Sequence, residues 1–451
     1  MGRLFAGVAK VDLTSPVGGA LDGYPDREIV SQGVHDQLHA KALVLYDGNE
    51  KVVIITSDLI GYDESLTAQT RKLIEEMTTV KGKNIMIAIS HTHSAPSGFL
   101  PGWSYDITSF PKIKFKVTSP AERWPPDIEA YRETVVKKVA GAVYEANNRL
   151  AEARIGVAKG VLPTGVICTN RHEPAGIMDP EVSVIRVDDS KENVLGVLVN
   201  YTCHPTIMGA ANYFISGDFP GAAMETIENA CGKGVVAMFV NGACGNISPR
   251  YARREQSFRE VERMGKILAG EAIKTLYQIK TTDEAKIRAN SKVLELPRKK
   301  LPPLEKAREA AKRKEAAWEG LKRKKAPVAD IRTAEVEFLG ADMERMRSEA
   351  LERGVSQPET VSVELQEIHV NDTVLVGVPG ELFVELGLQI KRESGLKNVI
   401  VVGYANGSIS YILTPEAYET VIYERFQTQL TEEGGPKIVE TALELIKEYH
   451  G

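Results

Sequence analysis

Apolar and polar positions along this chain do not keep a single period. Short apolar runs alternate with amphipathic stretches, the pattern of strands interleaved with helices in an α/β architecture. Six of the runs stand out by the residues at their carboxyl ends. Run 51–56 leads to Ser57-Asp58, and run 84–89 leads to Ser90-His91-Thr92-His93-Ser94. Run 194–202 opens into Cys203-His204-Pro205, and run 235–240 into Asn241-Gly242-Ala243-Cys244-Gly245-Asn246-Ile247-Ser248-Pro249. Run 373–378 ends at Pro379-Gly380-Glu381, while run 398–402 gives way to Gly403-Tyr404 and then Tyr411. Ligands of α/β sheets gather beyond the carboxyl ends of strands, so a shared site is expected where these six ends meet. The pattern predicts a mixed, mostly buried sheet flanked by helices, in one domain over residues 1–451.

Two further segments break the alternation. Residues 99–126 are rich in aromatics and prolines, among them Trp103 and Phe110. A long segment directly after the His pair is expected to roof the site as a lid. Residues 302–352 read as a helical-hairpin insertion. Leu304, Ala311 and Trp318 recur at sevens, Pro327 interrupts, and Ile331, Phe338 and Met346 begin a second stripe. The first helix is basic, ending in Lys322-Arg323-Lys324-Lys325. It reads first as a solvated face, with peripheral contact to an anionic membrane as the alternative.

Composition narrows the picture. With 43% apolar and 26% charged residues the chain has the make-up of a globular protein. A net charge of -5 gives no sign of a nucleic-acid partner. The start, residues 1–8, has no apolar core of the kind a signal peptide carries, and no stretch is long and apolar enough to span a membrane. Cys168, Cys203, Cys231 and Cys244 are scattered, so neither a disulfide framework nor a thiolate zinc site is indicated, and a reducing cytoplasm fits best.

The chemistry rests on the strand ends. Only eight histidines occur, and two of them form His91-x-His93. In extended backbone residues two apart point the same way, so these rings are expected to converge on one atom. His91, His204 and Glu381 make a His/His/carboxylate set, a common zinc shell that leaves room for water or substrate. Taken singly, His204 before a proline would serve as a turn histidine, and Glu381 as an acid at a helix N-terminus. Their common place at strand ends reverses that weighting.

These motifs, with the segment 7–14, Asn170-Arg171, Ser216-Gly217-Asp218, the segment 410–415 and a second tyrosine at Tyr423, resemble the catalytic N-terminal domain of the neutral/alkaline non-lysosomal ceramidases. The resemblance implies a zinc-dependent amidase that cleaves an N-acyl amide with metal-activated water. It implies one zinc per chain, held by His91, His204, Glu381 and the phenol oxygen of Tyr411. It also implies that His93 and Arg171 line the reacting centre and that Tyr423 and Ser248 contact the scissile amide. The substrate would be a small N-acyl amide or a lipid-like molecule. Asp58 and Asp218 are expected to orient the histidines, or else to act as turn residues or caps. The chain departs from the family at Ala95-Pro96-Ser97-Gly98 and at Arg250, and it is expected to lack the family's appended β-sandwich domain. Two rivals remain: a metal-free serine amidase using Ser248, and a metal- or lipid-binding protein without turnover. The oligomeric state is not legible.

Overall fold

The computed structural model describes residues 2–24, 27, 29–100 and 128–450. Its main sheet has eight strands: Phe5–Asp12 (β1), His39–Tyr46 (β2), Lys51–Ser57 (β3), Ile85–Ile89 (β4), Ala151–Val161 (β5), Glu181–Asp189 (β6), Val194–Tyr201 (β7) and Val236–Asn241 (β8). They lie in the order β8-β7-β6-β5-β1-β2-β3-β4, parallel only in the pairs β3–β4 and β7–β8. A second sheet holds Ile287–Pro297 (β9), Thr360–Val370 (β10), Thr373–Gly377 (β11) and Asn398–Val402 (β12), in that order, with β11–β12 parallel. The mixed α/β class is as the sequence predicts, but the strands are shared between two stacked sheets.

Alternation along the strands builds the layers. In β4, Ile85, Ile87 and Ile89 face a core formed with helices Glu64–Thr78 (α1), Ile128–Asn148 (α2), Asp218–Cys231 (α3) and Phe258–Leu276 (α4). Met86 and Ala88 face the other way, toward Ile368, Leu375 and Ile400 of the second sheet. The far side of that sheet is covered by Val384–Glu393 and Gly434–His450. The molecule is therefore helix, sheet, sheet, helix. Strands β3, β4, β8, β11 and β12 are apolar on both faces, which is why these runs show no polar alternation.

The helical hairpin forms as expected, from Leu304–Arg323 (α5) and Val328–Glu352 (α6), inserted between β9 and β10. Leu304, Ala307 and Ala311 are buried, and Trp318 stacks on Phe338 at 5.4 Å between centroids. Of the proposed lid, Phe99 is fully buried against Tyr62 and Tyr131 and so belongs to the core. Residues 101–127, including Trp103 and Phe110, lie outside the described residues. Among the described residues no helix is long and apolar enough to cross a membrane.

Candidate metal centre

The two edges of the main sheet meet at one end. Asn241, at the end of β8, donates through Nδ2 to the carbonyls of Ser90 and Cys203, both at 3.1 Å. Ser90 follows β4 on the opposite edge, so this one amide ties the loop bearing His91 to the loop bearing His204. The second sheet closes the site. Glu381 and Tyr411 are register partners in a short parallel ladder, and Ala405 bridges to Ala88 of β4.

His91 does not sit in extended backbone. Its φ is +66°, in the left-handed region, so the pleat is not what aims it. The strand ends at Ile89, and a strained turn swings the ring instead. The expected convergence holds for a different reason: the Nε2 atoms of His91 and His93 are 3.3 Å apart. Asp218, at the start of α3, and Tyr404, Asn406 and Ser410, beyond β12, also adopt positive φ, which places backbone strain around the site.

Ring anchoring separates the histidines by role. His91 donates from Nδ1 to the carbonyl of Ile60 at 2.5 Å, and His204 from Nδ1 to that of Cys244 at 2.7 Å. A carbonyl can only accept, so both rings are held as the tautomer whose Nε2 carries a lone pair. Glu381 Oε2 lies 3.0 Å from His204 Nε2 and 3.6 Å from His91 Nε2. Zinc bonded at 2.0–2.1 Å to tetrahedral donors sets them about 3.3 Å apart. These spacings fit that polyhedron. The donor nitrogens of His91, His93 and His204 also lie within 4.8 Å of one another. His93 differs in one respect: its buried Nδ1 has no partner among the described residues.

Electrostatics follow from burial. Burial opposes ionisation of Glu381, yet His91 and His204 hold its carboxyl well below the ordinary range. Burial, with His91 and His204 beside it, keeps His93 neutral far below its usual range, and burial also lowers His204. Burial pushes the Tyr411 phenol up, against the pull of Arg171, whose guanidinium lies 5.3 Å from the ring centroid. A phenolate at Tyr411 therefore needs more positive charge than Arg171 supplies.

Arg171 reaches the site because Thr169–Asn170 pairs with Ile247–Ser248, and Arg171 N–H bonds the Asn246 carbonyl. The same ladder brings buried Ser248 alongside. Its Oγ accepts only a long contact from Arg250 N–H at 3.4 Å, and among the described residues no histidine bonds it. Tyr423 meets Tyr411 edge-on at 6.1 Å. It opens a short helix, Tyr423–Gln427 (α7), on which α6 packs: Arg347 donates to the Phe426 carbonyl, and Gly340 lies against the Phe426 ring.

Asp58 and Asp218 orient neither histidine. Asp58 accepts from His39 N–H at 2.9 Å and faces Lys41; Asp218 accepts from Ile207 and Met208 N–H and so fixes the turn after His204-Pro205. Burial lifts both carboxyls to about 6. Backbone carbonyls do the orienting.

Sequence reasoning assigns no role to three residues, of which only Tyr404 stands at one of the strand ends it singles out. Glu424 is 1% exposed and binds Arg171 Nε at 2.6 Å and His172 Nε2 at 3.0 Å. Burial opposes its ionisation, but Arg171 pulls its pKa down to about 2. Tyr404 stacks on His91 at 4.1 Å and bonds Cys244 Sγ at 3.1 Å. Asp22 is a buried carboxyl raised by burial, close to His91. Glu424 had one signal, its place next to Tyr423, which an acid in a helical first turn masks.

Fold and donor set together define a two-sheet α/β protein with a candidate mononuclear metal centre. A model of the neutral/alkaline non-lysosomal ceramidase N-terminal domain matches residues 5–261, and the chain belongs to that family. It is 26% identical over 245 residues to the neutral ceramidase of Oryza sativa subsp. japonica, covering 49% of this chain and 28% of that protein. Against the Mycobacterium tuberculosis neutral ceramidase it is 22% identical over 465 residues, covering 89% and 70%. The chain spans about a third of the plant relatives' length. The crystal structure of neutral ceramidase from Pseudomonas aeruginosa superposes with a TM-score of 0.73 at 19% identity, covering 99% of this chain and 75% of that one.

Proposed function

We propose that the protein is a zinc-dependent hydrolase of N-acyl amides, with a ceramide-like lipid as the substrate class. The observation that carries this reading is the pair of imidazoles anchored through Nδ1, whose Nε2 atoms meet Glu381 at tetrahedral spacing. The names of the relatives support the substrate class. His91, His204, Glu381 and Tyr411 would hold one zinc. When bound, zinc supplies a Lewis acid that polarises a carbonyl and makes water acidic near pH 7.

The protein's own groups do the rest. Arg171, clamped by Glu424, and the Tyr423 hydroxyl donate to the oxyanion as the amide carbonyl becomes tetrahedral. His93, unanchored at Nδ1, passes a proton to the departing amine. Ser248 orients the amide. A serine nucleophile needs a base within hydrogen-bond reach, and Ser248 has none among the described residues. Ser248→Ala should therefore lower turnover by about 10²–10³, as for a lost donor to the reacting oxygen, and a trapped acyl-enzyme at Ser248 would sink this reading in favour of the serine rival.

The test is amine release from N-acyl amides of graded chain length. Release should stop on chelation and return with zinc. Each buried methylene contributes about 0.8 kcal/mol, so three more carbons should raise kcat/KM by roughly tenfold or more until the pocket fills. Turnover that persists after complete metal removal rejects the zinc assignment. Outright preference for acetyl groups rejects the lipid-like substrate and leaves the amide chemistry.

A further inference from the structure

The loop that crosses the candidate centre carries a carboxylate that the proposed chemistry does not use. Leu21 bridges to Pro96, and Asp22 N–H bonds the Ala95 carbonyl at 3.0 Å, so the loop runs beside the His93 segment. Gly23 has φ +99°, and a Cβ there would fall 2.4 Å from the His93 ring. Tyr24 meets that ring edge-on at 5.1 Å. Next to these contacts stands Asp22. Its Oδ1 accepts from Gly23 N–H at 2.9 Å, while Oδ2 is shut off from solvent and accepts no hydrogen bond among the described residues.

Among the described residues the cation beside this carboxyl is Arg27. Arg27 donates from Nη1 and Nη2 to the backbone carbonyls of Asp22 and His93, both at 2.9 Å, and not to the carboxylate. A buried carboxylate oxygen without a donor is costly, and such groups in native structures call for a functional reason. The loop's own turn needs only Oδ1. Oδ2 is left for something brought in from outside.

We propose that Asp22 is a specificity-determining residue whose Oδ2 accepts a hydrogen bond from a hydroxyl on the amine portion of the substrate. The side of the site decides which portion. Asp22 lies on the His93 side, and His93 serves the departing amine in the amidase reading, on which this inference rests. The charge decides which donor. Arg27 already places a positive charge in this sector, which disfavours an ammonium and leaves a neutral hydroxyl as the favourable partner.

The test uses two probes, N-hexanoylethanolamine and N-hexanoylpropylamine, which differ by a hydroxyl exchanged for a methyl group. Binding to zinc-loaded full-length protein is measured by calorimetry, and amine release is followed alongside. Wild type should bind the hydroxylated probe about 10- to 100-fold more tightly, as expected for a hydrogen bond to a charged group. Asp22→Leu should erase the preference at unchanged zinc content. Asp22→Asn, which keeps the shape and the turn contact, should reduce it several-fold. Equal affinities in wild type, binding of neither probe, or a preference that survives Asp22→Leu overturns the inference. Amine release without discrimination leaves the amidase reading standing and removes Asp22; discrimination without amine release does the reverse.

Discussion

At the scale of single residues, the site is decided by what holds each side chain still. His91 and His204 are locked by main-chain carbonyls, which cannot swap roles with a ring nitrogen. His91→Ala or His204→Ala should thus empty the metal site while most of the fold survives. Elemental analysis should give about one zinc per wild-type chain and almost none in either variant; full occupancy in both would end the zinc assignment. Glu424 makes the matching case for Arg171. Its folded pKa of about 2 lies below the ordinary value of 4.5, so its contribution is present above pH 4.5 and lost as pH falls through 2. Glu424→Gln should cost about 3 kcal/mol at pH 7, the scale of a broken buried pair, and that deficit should vanish near pH 2. Denaturant titrations of both proteins across pH would show it, and a pH-independent deficit would contradict the ion-pair account.

At the scale of elements, the hairpin is more than a decorated insertion. α6 lies against α7, the helix bearing Tyr423 and Glu424, with Gly340 pressed on the Phe426 ring. A Cβ at 340 would come within 2.2 Å of that ring. Gly340→Val should therefore destabilise by about 1–3 kcal/mol through overpacking and lower turnover by displacing Tyr423, with zinc retained. Gly320, on the outer helix α5, has nothing within 4 Å of a Cβ. Gly320→Ala should be neutral or stabilising by up to about 1 kcal/mol. Equal activity loss in both variants, read from kcat and KM, would show that the hairpin does not support the site.

At the scale of the whole molecule, burial between layers sets a pH response away from the site. Glu367 and His369 share the helix-covered face of β10 and bond each other at 2.9 Å. Burial raises the Glu367 pKa to about 8, and Glu448 adds to it; burial lowers His369 to about 4, with Arg288 adding to that. Both are neutral at pH 7. Because Glu367 binds its proton more tightly folded than unfolded, its contribution is full below pH 4.5 and declines as pH rises to 8. Glu367→Gln should flatten that decline and gain on the order of a few kcal/mol at pH 8. Unfolding curves between pH 5 and 9 that run parallel in the two proteins would refute it.

Sequence alone was enough for the α/β class, the two hairpin helices and the strand-end side chains that the fold brings together, because buried strands leave uninterrupted apolar runs whose ends gather on one side. His91, His93, His204 and Glu381 were legible for that reason. What it could not supply was the division into two sheets, since an apolar run is the same whether its second face meets a helix or another sheet. Nor could it reveal why His91 and His93 converge: the left-handed turn at His91 is held by contacts from Leu59 and Ile60, not by local preference. Glu424, Tyr404 and Asp22 carry no motif, and each matters only through a neighbour distant in sequence, Arg171, Cys244 and the His91–His93 segment. Tertiary structure alone decided those, because it is packing that removes water and turns an ordinary acid or phenol into a fixed partner of the site.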